Sequence, residues 1–257
     1  NAEILRVLDT PGDAHYHPCP EAYVREGVVP GQVLRFRSWD QSAVFAGTRR
    51  DVWVYKPSAA DNADALNLII FNDGPGYLAR AGAVRATTVL DNMIDAGELA
   101  PTLAVFVSPG LPANIELPTA GQRPDPLAMQ QRSVEYDSCS DHYLRFLIDE
   151  LLPFVSSEMD VRIGDDSANR TICGISSGGI CAFNAAWHGP EYFGRVISHC
   201  GSFTNIRGAH NFPYLIRSTP RKGIKVFLQS GELDADIVTG SWVLANQQMA
   251  AALQFAG

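Results

Sequence analysis

The sequence predicts an α/β protein built on a mostly parallel, doubly wound sheet, and three observations carry the prediction. Compact apolar runs of four to six residues recur along the chain, stretches of helical periodicity alternate with them, and one pair of β-forming segments stands apart near the N-terminus. Such runs read as strands buried on both faces, as in a parallel sheet. Strands that alternate with helices connect by right-handed crossovers, which puts helices on both faces.

Taken in order, residues 1 to about 30 read as an irregular N-terminal extension, and residues 31–257 as the folded domain. Val33 to Arg37 and Val52 to Tyr55 alternate or enrich β-formers and flank a Gly-containing stretch, which predicts an antiparallel pair. The apolar runs Leu66–Phe71, Leu103–Val107, Thr171–Ile175, Val196–His199 and Ile224–Leu228 supply the parallel strands. Between them, Val89, Leu90, Met93 and Ile94 repeat at helical spacing. A second helix carries Tyr143, Leu144, Leu147, Ile148, Leu151, Leu152 and Val155; Ser140 is its expected N-cap, and Pro153 is expected to kink or end it. A third runs from about Gly178 to Trp187, stopped by Gly189-Pro190, and a fourth from about Ser241 to Phe255. Residues 109–131 and 204–220 read as long loops, with Glu135 and Tyr136 in the loop that follows the first of them.

Composition bounds the function classes. The chain has 257 residues, 46% of them hydrophobic and 19% charged, which suits one domain with a substantial core. Its 22 Gly and 16 Pro are scattered, which excludes collagen-like and low-complexity classes. The net charge is −8, and basic residues cluster no further than pairs such as Arg49-Arg50 and Arg221-Lys222, so no nucleic-acid partner is expected. No apolar stretch approaches the ~20 residues that span a bilayer, so no membrane association is expected either, and the protein is read as soluble. Five cysteines without C-x-x-C spacing call for neither a zinc site nor a disulfide framework, and no metal or cofactor is expected. The chain begins at Asn1 without a leader-like segment, so a signal peptide has been removed or the sequence trimmed, and the compartment stays open between cytoplasmic and secreted. Oligomeric state is not legible.

The chemistry centres on Gly174-Ile175-Ser176-Ser177-Gly178, a match to G-x-S-x-G. In that motif a serine occupies a strained strand-to-helix turn, and flanking glycines permit close packing. The context agrees, because Thr171-Ile172-Cys173 enters as a strand and Gly179-Ile180-Cys181-Ala182-Phe183 leaves as a helix. Ser176 is therefore the candidate nucleophile.

Several segments together extend the match well beyond one motif: Arg50–Tyr55, Phe71-Asn72-Asp73-Gly74, Arg132–Asp137, Gly174–Gly179, Val196–Phe203 and Phe227–Gly231. From about residue 22 onward the chain resembles the esterase-D and enterochelin-esterase-like family of α/β-hydrolases. The resemblance implies the α/β-hydrolase fold and a serine hydrolase acting on a small-molecule carboxylic ester of siderophore, feruloyl or simple acyl type through an acyl-enzyme. A non-catalytic relative with a binding role, and an acyltransferase, are the alternatives.

A serine nucleophile needs an orienting acid, an oxyanion hole and a base. The acid is expected just after the Ile224–Leu228 strand, where Glu232, Asp234 and Asp236 all lie; the family pattern Gly-x-x-Asp falls on Asp234. The backbone N–H of Ser177 is the expected first oxyanion donor, at roughly 3–4 kcal/mol of transition-state stabilisation per donor. A second should come from the Asp73–Tyr77 loop; Pro75 has no N–H, which leaves Gly76 or Gly74. Tyr77, Glu135 and Tyr136 are candidate pocket residues, with Phe203 as a further aromatic candidate and Trp242 read as a pocket candidate or, in preference, as core.

The base is the missing part. Triads of this fold run in the order Ser, acid, His, yet His15, His17, His142, His188, His199 and His210 all precede Asp234. His199 reads as structural, His188 as a helix C-terminal residue, and His142 and His210 as candidates for a rearranged triad. The sequence therefore predicts a catalytic His encoded beyond Gly257, together with a final strand and His loop that the 31–257 domain lacks.

Overall fold

The computed structural model describes residues 18–116 and 125–257, so His15 and His17 lie outside the described residues. Its main sheet contains β1 (Gln32–Trp39), β2 (Thr48–Lys56), β3 (Asn67–Asn72), β4 (Thr102–Val107), β5 (Leu111–Pro112), β6 (Arg170–Ile175), β7 (Arg195–His199) and β8 (Lys225–Gln229). They run in the order β1-β2-β4-β3-β6-β7-β8, with β5 paired to β2. The β1–β2 and β2–β4 pairs are antiparallel, and every pair from β4 to β8 is parallel. This is the α/β-hydrolase class of sheet that the sequence predicts.

Alternation along the parallel strands divides the core. Leu68, Ile70, Leu103, Val105, Val107, Ile172 and Val196 face one way, while Phe71, Ala104, Phe106 and Cys173 face the other. Helices cover both sides. On the second side lie α1 (Gly74–Leu78) and α2 (Ala86–Asp95), contributing Tyr77, Ala86 and Leu90. On the first lie a long helical stretch over 142–159, then α6 (Ser177–His188), α7 (Phe212–Ser218) and α8 (Trp242–Ala256). The long stretch is α4 (His142–Arg145), a π-helical segment (Phe146–Leu151) and α5 (Leu152–Met159).

Of the two outcomes expected at Pro153, the helix does not end; it changes register, with the π segment directly before Pro153 and α5 continuing to Met159. Two further expectations are corrected. The residue before α4 is Asp141 rather than Ser140, and it makes no side-chain cap bond. Glu135 and Tyr136 end a helix, α3 (Pro126–Tyr136), rather than lying in a loop; the Asp125 side chain caps it by accepting from the Leu127 N–H at 2.8 Å.

Candidate active site

The segments that carry the candidate nucleophile, oxyanion donors and acid gather at one edge of the sheet. Asp73 follows β3, Ser176 follows β6, Cys200 to Ser202 follow β7, and Ser230 to Asp234 follow β8. These strands are parallel, so the four segments share the carboxyl edge, where α/β sheets bind ligands.

The turn from β6 to α6 passes through Ser176 at φ +56° and ψ −121°. That conformation is costly for a residue with a Cβ and persists only where its surroundings enforce it. Close packing supplies the enforcement. A Cβ at Gly174 would fall 2.2 Å from the Gly178 carbonyl oxygen, and one at Gly179 would fall 2.5 Å from Ser198 Oγ, so neither position accepts a side chain without rearrangement. Backbone bonds close the rest: the Ser176 N–H donates to the His199 carbonyl at 2.9 Å, and the Ser176 carbonyl accepts from Gly179 at 2.9 Å and from Ser202 at 3.2 Å. The Ser176 Oγ is hydrogen-bonded to Ser202 Oγ at 2.9 Å.

Ser177 is the first residue of α6, so its N–H lies outside the helical ladder. Across the edge, Asp73 adopts a left-handed conformation at φ +56° and opens α1. Of the two glycines proposed there, Gly76 donates its N–H to the Asp73 carbonyl at 3.1 Å and is thereby occupied. Gly74, at the first position of α1, has an N–H outside the ladder.

Asp73 is held to α3 by three hydrogen bonds. Arg132 of α3 donates to both carboxylate oxygens, from Nε at 3.1 Å and Nη2 at 2.7 Å, and the Asp73 N–H donates to the Tyr136 hydroxyl at 3.2 Å. A Cβ at Gly178 would lie 3.3 Å from Asp73 Oδ2, which brings this carboxylate to the N-terminus of α6. Burial works against the Arg132 charge, but the Asp73 carboxylate more than offsets it and raises the guanidinium pKa above its ordinary value. Beneath them, Tyr143 donates to Asn72 Oδ1 at 2.8 Å and Asn72 Nδ2 donates to the Gly178 carbonyl at 3.1 Å, tying β3 to the elbow.

The three pocket candidates lie under the site rather than around an opening. Tyr77 is buried against Phe71, with its hydroxyl 3.3 Å from His199 Nδ1. Tyr136 is fully buried, and burial followed by the nearby Asp73 charge raises its hydroxyl pKa. Glu135 accepts from Arg50 Nη1 at 2.9 Å, from Arg50 Nη2 at 3.1 Å, from Gln131 at 2.9 Å and from the Gly110 N–H at 3.1 Å. Both side chains of the Arg50–Glu135 pair are 0% exposed, so Glu135 is committed to structure. Phe203 is likewise core, packed edge-on to Phe183.

Asp234 sits on the same edge as Ser176. Its Oδ2 accepts from the Ser230 hydroxyl and from the Gly231 N–H, both at 2.8 Å, which fixes the carboxylate on the loop after β8. Its charge reaches Cys200, whose thiol pKa is raised by burial and then by Asp234. Glu232 and Asp236 are exposed, and Asp236 belongs to a short hairpin, β9 (Asp236–Ile237) with β10 (Gly240–Ser241). Among the described histidines none hydrogen-bonds the Ser176 side chain. The His199 carbonyl accepts from the Ser176 N–H, but the His199 ring turns to Tyr77 and Phe227. His188 ends α6, His142 opens α4 and His210 lies in the 3-10 turn Ala209–Asn211.

Sequence reasoning missed Asn72, Arg132, Tyr143 and Ser202 as parts of this assembly. Arg132 and Ser202 lie in segments that carry the family resemblance, but nothing in the spacing ties either to Asp73 or Ser176.

Residues 42–255 match the family model described as putative esterase. A curated relative, the iron(III) enterobactin esterase of Dickeya dadantii, is 25% identical over 244 residues, covering 89% of this chain and 50% of that protein. The chain thus spans about half the length of the curated relatives it matches. Among solved structures, the enterochelin esterase of Shigella flexneri superimposes with a TM-score of 0.67 at 20% identity, covering 94% of this chain and 54% of that one. A ferulic acid esterase gives a TM-score of 0.63 at 18% identity, covering 89% of this chain and 88% of that one. At these identities the structural likenesses establish the fold.

Proposed function

Because this chain belongs to the putative esterase family, we propose that it cleaves a small-molecule carboxylic ester with Ser176 as the nucleophile. The observation that carries the reading is the strained Ser176 backbone, held at φ +56° between a parallel strand and a helix N-terminus. In this reading Ser176 Oγ bonds to the ester carbonyl carbon and gives its proton to a base. The Ser177 and Gly74 N–H groups receive the negative charge on the carbonyl oxygen. Collapse of that intermediate expels the alcohol, which takes the proton, and leaves an acyl-serine; water then repeats the sequence and releases the acid. Asp234 orients the base.

The relatives' names support siderophore and feruloyl esters as the substrate classes to try first. Among the described residues no helix is long and apolar enough to cross a membrane. The test is p-nitrophenyl-ester turnover by the full-length protein. Ser176→Ala should lower kcat by several orders of magnitude, as loss of a triad serine does elsewhere. Ser177→Ala keeps its backbone N–H and should cost much less; equal losses for the two would count against the assignment.

A further inference from the structure

The loop after β7 returns to the elbow and meets Ser176 twice. The Ser202 N–H donates to the Ser176 carbonyl at 3.2 Å, and the two hydroxyls share a hydrogen bond of 2.9 Å. Ser202 is 0% exposed, so its hydroxyl has no access to bulk water. The loop is itself anchored: Asn246 of α8, also buried, donates to the Gly201 carbonyl at 2.8 Å, and Phe203 packs into the core beside Phe183 and Phe212. A serine side chain otherwise chooses among three staggered wells. Here one well carries a hydrogen bond to a group that cannot move away.

We propose that Ser202 is a positioning residue for the nucleophile, fixing the Ser176 side chain in the rotamer from which it attacks. This rests on the reading of Ser176 as nucleophile. Three features argue that the contact orients rather than merely fills space. It terminates on the Ser176 oxygen itself, it comes from a different strand connection, and the same residue also braces the strained Ser176 backbone through its own N–H. Removing the hydroxyl leaves that backbone bond in place, so Ser202→Ala should release the Ser176 rotamer without undoing the elbow.

The test measures the rate at which a fluorophosphonate modifies Ser176 in the full-length protein, together with kcat, KM and Tm on one activated ester. The expected result for Ser202→Ala is a phosphonylation rate and a kcat both lowered roughly three- to tenfold, the weight of one neutral hydrogen bond, with KM and Tm close to wild type. Ser202→Gly removes the same hydroxyl and should show the same loss, which keeps the test alive if the alanine variant misfolds. Either variant, folded and modified at the wild-type rate, overturns the proposal, as does a loss that appears in KM alone. A wild-type protein that is not modified at Ser176 at all instead defeats the nucleophile assignment on which the proposal stands.

Discussion

The Arg132 guanidinium holds the Asp73 carboxylate at two points, Nε to Oδ1 at 3.1 Å and Nη2 to Oδ2 at 2.7 Å, and thereby joins α3 to the turn that opens α1. Asp73 immediately precedes Gly74, whose N–H is the proposed second oxyanion donor, so the pair anchors the residue that leads into that donor. Arg132→Met should lower kcat/KM by roughly ten- to a hundredfold, the weight of hydrogen bonds to a charged group, with a smaller effect on Tm. Arg132→Lys should recover only part, because an ammonium cannot reproduce the two-point fork. Steady-state kinetics of the three proteins on one ester checks this; a methionine variant with wild-type kcat/KM would remove the pair from the functional account.

Gly174 tests the elbow by packing alone. A Cβ there would meet the Gly178 carbonyl at 2.2 Å, so Gly174→Ala must shift the start of α6. Such overpacking costs about 1–3 kcal/mol. Thermal denaturation should show that loss, and turnover should fall further than stability does, because the shift moves Ser176 and the Ser177 N–H together.

Glu135 separates a structural from a pocket role. With both partners fully buried, Glu135→Ala leaves the Arg50 guanidinium charged and unpaired, at about 3–5 kcal/mol. Denaturant unfolding should report that destabilisation. A raised KM with unchanged stability would instead return Glu135 to the pocket wall.

The pH dependence of stability should carry a His199 contribution. Burial lowers the His199 pKa below its ordinary 6.5, so the unfolded chain binds a proton more readily than the folded one. Stability is therefore intact above pH 6.5 and falls as the pH drops through and below that value. His188 is lowered for the same reason and stays in both proteins, so comparing wild type with His199→Gln isolates one residue. The variant should lose less stability between pH 7 and pH 5 than wild type does; parallel curves would contradict the prediction.

The central parallel strands were readable because they are buried on both faces: β4, for example, is Thr102-Leu103-Ala104-Val105-Phe106-Val107 with every residue buried. The edge strand β8 departs from that expectation, with Lys225, Phe227 and Gln229 exposed. Ser176 was readable because the elbow is local, its strand, glycines and helix all lying within about a dozen residues. The site's supports were not. Ser202 reaches Ser176 only after β7 has crossed and returned, 26 residues later, and Arg132 meets Asp73 across 59 residues, separations over which spacing carries no signal. Helix α3 was missed although Asp125-Pro126 is a recognisable opening, since its polar run Gln130-Gln131-Arg132-Ser133 shows little apolar stripe. The π segment directly precedes Pro153, the residue the sequence marks for a kink or stop, but that the helix changes register there and then continues to Met159 is not written in the spacing.

The central claim is that acyl transfer passes through Ser176. The most direct test mixes the full-length protein with an ester whose acyl-enzyme hydrolyses slowly, quenches the mixture in acid and maps the acylated residue by mass spectrometry. A single added acyl mass is expected on Ser176, absent from Ser176→Ala. An acyl group on Ser177, Ser202 or a cysteine, or full turnover by the Ser176→Ala protein, would contradict it.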